Sequence, residues 1–153
     1  MSGILNYSTT IAATKTVGEM QTMLAQHGAS RIAVDYLDGS PDALSFMLIT
    51  PHGPRHFTLP VNVDAMHRLL REQDKAGKLR SGSKATRSSR EQAERVAWRV
   101  MKDWLAAQLA LVETQMVGLD QVMLPYLQVD DTGRTLYAAY QEREAIAALG
   151  SGA

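Results

Sequence analysis

Nine side chains within one stretch of this 153-residue chain have the types and spacing needed to hold a polyanion. Lys78, Arg80, Lys84, Arg87, Arg90, Arg95, Arg99 and Lys102 supply cations that can neutralise phosphates, and Trp98 supplies a flat ring on which a base can stack. Such stacking is worth about 1–3 kcal/mol per base and tolerates any sequence. The nine lie in or beside a broader cationic window, Arg68 to Lys102, with eleven basic residues against four acidic ones, a net +7. The rest of the chain has five basic residues against twelve acidic, so the total is formally zero. Asymmetry of this kind points to an anionic partner even in a neutral protein. The competing reading is a solvated linker kept soluble by its lysines and arginines.

Helical spacing places the tryptophan. At 100° per residue, Ala93, Val96, Ala97, Val100, Met101, Trp104, Ala107 and Leu111 gather on one side, the expected core stripe. Glu91, Arg95, Trp98, Arg99, Lys102 and Ala106 gather on the other. Trp98 thus stands among cations, three residues after Arg95 and four before Lys102, on the expected solvent face. Two further readings stay open, that Trp98 packs beneath a C-terminal helix or that it anchors a subunit contact. Leu105 and Leu109 lean toward its side and favour these.

Other chemistry lacks its residues. With no cysteine there is no disulfide, thiolate metal site or cysteine nucleophile. His52 and His56 flank a turn and a strand, so they share no helical face for a metal. Ser81, Ser83, Ser88 and Ser89 have no neighbouring histidine and acid, and no G-x-S-x-G elbow occurs. Gly77 and Gly82 do not make a phosphate loop after a strand. No catalytic role, cofactor or metal is therefore expected. No apolar run approaches the 18 residues or so of a membrane span, and no signal peptide is evident, so a cytoplasmic location is expected.

The elements that must position these residues can be read from periodicity. Composition fits one α+β domain over residues 1–153, with 45% hydrophobic residues. A first strand is expected over Ile4–Ala13. A helix should follow from a capping box at Thr16 and Glu19 to about Gln26, with Val17, Met20 and Leu24 inward and Gly28 ending it. Three strands follow, Arg31–Leu37, Leu44–Thr50 and Arg55–Val61, separated by turns at Asp38–Pro41 and Pro51–Pro54. Leu44–Thr50 is apolar enough to be covered on both faces. Asn62 or Asp64 caps a second helix. Residues 75–89 hold little apolar surface and are expected to form a mobile basic loop. A long helix begins at a serine cap, Ser88 or Ser89, and continues toward Gly118. A short helical turn at Leu119–Met123, a turn at Asp130–Gly133 and a terminal helix built on Leu136, Tyr137, Tyr140 and Ile146 complete the chain, with 151–153 frayed. The fold class is thus a three- to four-stranded antiparallel sheet packed against helices.

The strands Arg31–Leu37, Leu44–Thr50 and Arg55–Val61, followed by the basic helical stretch Arg87 to Lys102, resemble the plan of the ring-forming single-strand annealing proteins of recombination. That resemblance implies a groove of basic residues tracking single-stranded DNA on a ring of subunits. The order helix, three strands, helix over Thr16–Asp74 is also similar to a double-stranded RNA-binding domain. Its lysine cluster is replaced here by the acidic Asn62-Val63-Asp64-Ala65-Met66. In style the sequence resembles small phage or prophage proteins. The expectation is a non-enzymatic single-stranded nucleic-acid-binding protein working as a homo-oligomer without a membrane. The alternative is a protein–protein assembly or inhibitor module, suggested by eight methionines and by one basic and one acidic part.

Overall fold

The computed structural model describes residues 3–80 and 82–151. Of the expected frayed end, 152 and 153 lie outside the described residues, as does Ser81 in the basic loop. The elements are α1 (Ala13–Gln26), β1 (Ser30–Leu37), β2 (Ser40–Thr50), β3 (Gly53–Pro60), α2 (Val63–Lys75), α3 (Arg90–Glu113), α4 (Leu119–Val122), a 3-10 turn at Leu124–Tyr126, and α5 (Leu136–Ser151). The sheet is antiparallel in the order β1-β2-β3. This is the α+β class that the sequence predicts.

The sheet follows from two tight turns. Asp38 and Gly39 both take positive φ (51° and 81°), the mirror-image geometry that matches strand twist, and Leu37 pairs with Ser40 across them. Leu44, Phe46 and Leu48 of β2 and Phe57 and Leu59 of β3 form the core face, with Phe46 stacked on Phe57 at 5.6 Å. The other face is only partly covered: Ala43 is buried, Met47 half-buried and Ile49 exposed. The expectation that β2 is enclosed on both sides thus holds for one. β1 is an edge strand with register irregularities between Ser30 and Ala33, where Arg31 takes φ +50°, and between Asp35 and Tyr36. The second bulge leaves Tyr36 and Leu37 exposed. At the opposite edge Leu127 bridges to Phe57, and Gln128 receives no strand of its own but donates its N–H to the His56 carbonyl at 2.8 Å.

The expected strand at Ile4–Ala13 does not form. Residues 5–8 are a turn, with the Tyr7 N–H on the Ile4 carbonyl at 3.1 Å. The segment is held by side chains instead: the buried Gln92 amide donates to both the Tyr7 and Thr9 carbonyls, at 2.9 Å each. With those carbonyls taken, they are unavailable for a ladder. The Thr16–Glu19 capping box does not form either. α1 starts four residues earlier, at an Ala12 N-cap with no side-chain cap, and Thr16 is buried within its first turn. Its other end is as predicted: Gly28 (φ +94°) closes a reciprocal pair of bonds, Ala29 N–H to Leu24 C=O and Gly28 N–H to Ala25 C=O. Asn62 caps α2 through Ala65 N–H, and Ser89 caps α3 through Gln92 N–H.

The long helix is rotated relative to its predicted phase. Its buried residues are Gln92, Ala93, Val96, Ala97, Trp98, Leu105 and Leu109. Val100, Met101 and Trp104 are half-buried, Ala107 and Leu111 exposed. The reason is its place between α1 and α2: it packs on both, so neighbours cover its first half on most sides. Trp98 is completely buried and its indole N–H donates to the Pro41 carbonyl at 3.0 Å, joining α3 to the start of β2.

Two measurements test this packing. Trp98→Phe keeps an apolar ring but removes the N–H that pairs with the Pro41 carbonyl and part of the buried volume, a loss of about 1–3 kcal/mol of unfolding free energy, while Trp98→Ala should cost about 3–5 kcal/mol, both read by chemical denaturation. At the far end, His27 Nδ1 faces the Met23 carbonyl at 2.8 Å and Nε2 faces Glu113 at 2.9 Å. Both partners are acceptors and favour the protonated ring, so the Met23 carbonyl first and then Glu113 raise the His27 pKa. A raised folded pKa stabilises below the ordinary histidine value and the contribution is lost as pH rises through the folded one. Thermal unfolding should therefore show stability falling from about pH 6.5 upward, and the fall should be absent in His27→Gln.

Candidate functional site

The cationic window begins on α2, an amphipathic helix whose Val63 and Leu70 are buried. Arg68, Arg71 and Lys75, at i, i+3 and i+7, share its exposed face. The chain then leaves regular structure over the described residues 76–80 and 82–89, between α2 and α3. Two anchors fix this loop, neither visible in its composition. Leu79 is plugged into the core. Asp74 accepts from Arg87 Nε and, at 3.0 Å, from the Ser88 hydroxyl. A tight turn over Ser83–Arg87, with both the Thr86 and Arg87 N–H groups on the Ser83 carbonyl, joins the anchors to α3.

The nine predicted residues separate into three groups. Trp98 is not a stacking platform: it lies wholly inside the protein with its N–H satisfied, and this corrects its assignment to the solvent face. Five cations have intramolecular partners. Arg99 and Lys102 both reach Glu19 on α1, at 2.7 and 3.3 Å. Arg87 pairs with Asp74, and Arg90 with Asp64. Arg95 donates to Gln92 Oε1 at 3.1 Å and stands 3.9 Å from Glu91. The Arg99 guanidinium, with Lys102 in support, holds the Glu19 carboxyl below the usual range, and Arg90 does the same to Asp64. Lys78, Arg80 and Lys84 remain with no ion-pair partner among the described residues, as do Arg71 and Lys75. The structure therefore does not bring the nine together as one groove: the free cations lie on α2 and the loop, Arg90, Arg99 and Lys102 are paired with carboxylates of α1 and α2, and Arg95 is held within α3 by Gln92 and Glu91.

Three features went unread in the sequence. One is a cavity of about 290 Å³ where the N-terminal turn meets the loop, lined by Arg87, Arg95 and hydroxyl side chains. Another is an open cleft of about 560 Å³ in which Asp38, Asp42, Asp64 and Glu94 surround Arg90. The last is α5. Expected as a terminal helix built on Leu136, Tyr137, Tyr140 and Ile146, it is exposed at every residue from Tyr140 to Gly150, with Tyr137, Tyr140, Ile146 and Leu149 at 54%, 56%, 63% and 80% exposure. The methionines are mostly interior, Met20 and Met123 fully so, and among those described only Met116 is freely exposed. The described residues hold no group of three or more histidine or acidic side chains placed to bind a metal. No described helix is long and apolar enough to cross a membrane.

Compared with known protein families, curated proteins and solved structures, the chain matches none.

The division of the cations has a direct readout. Arg99→Ala leaves Glu19 with Lys102 alone and should lower the urea midpoint, whereas Arg80→Ala should shift unfolding free energy by no more than about 0.5 kcal/mol. Because Glu19 has a lowered folded pKa, its contribution is present above the ordinary carboxylate range and lost as pH falls through the folded pKa. Glu19→Gln should flatten the acid side of the stability profile.

Proposed function

We propose that the protein is a non-enzymatic assembly module that works by binding further copies of itself through α5. The observation that carries this reading is the isolation of that helix. Its packing on the body is concentrated at its root, against the Leu124–Tyr126 turn, with Leu136 N–H on the Leu127 carbonyl at 2.7 Å. A helix of this length is marginal in water without packing. One that is apolar on several sides is normally buried. At 100° per residue, Tyr137 and Tyr140 lie together on one side of the helix and Ile146 and Leu149 on the opposite side, so a single flat surface cannot cover both pairs. They suit insertion between neighbours.

A second copy is the occupant because the molecule is its own electrostatic complement. It carries a strip of unpaired cations from Arg71 to Lys84 and, elsewhere, the acidic cleft and the exposed Glu144 of α5, within a chain of zero formal charge. Opposite surfaces on one subunit favour head-to-tail association, which closes into a ring or continues as a filament. Sedimentation velocity should show a species larger than the monomer that loosens as salt is added. Ile146→Glu and Tyr140→Glu should return it to monomer, with any loss of helix confined to α5. A wild-type protein that stays monomeric at low salt overturns the proposal.

A second reading rests on the free cations alone. Arg71, Lys75, Lys78, Arg80 and Lys84 could follow a nucleic-acid backbone, without the stacking that Trp98 was expected to provide. Binding would then be independent of sequence and steeply salt-dependent. Fluorescence anisotropy with a single-stranded oligonucleotide should show the salt slope falling by about 0.7 for each of Arg80→Ala and Lys84→Ala if each contacts one phosphate. Equal slopes for the variants and wild type would exclude it.

A further inference from the structure

The cavity between the N-terminal turn and the basic loop belongs neither to α5 nor to the α2 strip, and it is built differently from both. Its cationic lining is Arg87 and Arg95, and its other polar lining includes the hydroxyls of Ser8, Thr9, Thr10 and Thr86. We infer that this cavity is a binding site for a phosphoryl group, the two guanidiniums and the N-terminal hydroxyls forming its donor set.

Both guanidiniums are aimed before any ligand arrives. The buried Gln92 amide nitrogen is fixed by two backbone carbonyls, Tyr7 and Thr9. That leaves its oxygen no choice of direction, and Arg95 Nη1 donates to it at 3.1 Å. Arg95 is thus held by a side chain that is itself held, and its Nη2 stands 3.9 Å from the exposed Glu91 carboxylate, beyond hydrogen-bond reach and open to a closer acceptor. Arg87 is gripped from behind. Asp74 takes its Nε, and no described residue accepts from its Nη groups. Asp74 in turn is oriented by the Ser88 hydroxyl at 3.0 Å. An arginine held through Nε with both Nη groups free presents the edge that reads two oxygens of one phosphate.

The hydroxyls complete a tetrahedral anion's requirements. Thr9 Oγ1 already accepts from Ile11 N–H at 3.2 Å, so its own proton can be donated outward. The Ser8 and Thr10 hydroxyls bond to no described residue. Gly82 (φ +86°) forms part of the wall, and a Cβ there would lie 3.4 Å from Arg87 Cβ, so glycine lets the loop close on that arginine. Lys84 and Arg80 flank this glycine in sequence and tilt the local balance toward positive charge despite Asp74 and Glu91. At about 290 Å³ the cavity suits a phosphate with a small attached group rather than a large ligand. The phosphate could belong to a mononucleotide-sized ester or to an internucleotide linkage.

The test is an NMR titration of the Ile146→Glu chain, so that loss of assembly and loss of ligand binding are read separately. Inorganic phosphate should shift the amides of Thr9, Thr10 and Gly82 and the Arg95 Nε–H with saturation, while sodium chloride at matched ionic strength should not. Arg95→Gln should weaken binding by about tenfold or more, the range expected for losing one charge-assisted bond. Arg95→Lys should restore part of it, and Arg31→Gln, distant in the sheet, none of the loss. If thymidine monophosphate saturates the same resonances more tightly than phosphate, the source is a small ester; if only oligothymidylate does, it is a polynucleotide backbone. Linear, unsaturating shifts with phosphate, or an Arg95→Gln titration identical to that of wild type, would overturn the site whatever the oligomeric state of the parent chain.

Discussion

The indole of Trp98, shut inside the protein with its N–H on the Pro41 carbonyl, decides most of what the surface can do. It fixes the rotation of α3 about its own axis. With Trp98 turned inward, Arg99 and Lys102 reach α1 and meet Glu19. Near the helix start Arg90 lies against α2 and meets Asp64. A rotation that placed Trp98 in solvent would free those cations and bury Trp104 in their stead. One aromatic anchor thus converts a run of positive charge into the mortar between three helices.

The charge that remains unspent lies elsewhere, on the outer face of α2 and along the loop. Its distribution explains why a strongly basic window need not mean a basic groove. Paired cations with buried stems contribute to packing as much as to electrostatics. The loop, for its part, is less independent than its composition implies, because one leucine and one aspartate tie it down at separate points.

The sheet, its turns, the C-terminal end of α1 and the N-terminal caps of α2 and α3 were legible in the sequence, because each depends on neighbours in the chain: Asp38-Gly39 for the hairpin, Gly28 for the end of α1, Asn62 and Ser89 for the caps. What could not be read depends on residues far apart. The phase of α3 was ambiguous because its first half is apolar over more than half its circumference, and only the presence of helices on both sides resolves it. The N-terminal segment has a strand's composition, yet Gln92, more than eighty residues away, claims its carbonyls. The candidate cavity was invisible for the same reason, since it joins residues 8–10 to residues 86–95. α5 is a helix as its periodicity indicates, but that the body of the protein leaves it exposed depends on packing that no local pattern encodes.

The irregular strand β1 has a bearing on how such molecules can meet. Adding strands side by side is the simplest way for a small sheet protein to multiply, and it is also the route to fibrils. Here the backbone of β1 is kinked twice and carries Arg31 in a left-handed conformation, so a neighbouring chain laid along it would lose register within a few residues. The opposite edge is already occupied by Leu127 and Gln128. Amyloid-like templating is thereby discouraged at both margins, and the association proposed through α5 depends on neither sheet edge.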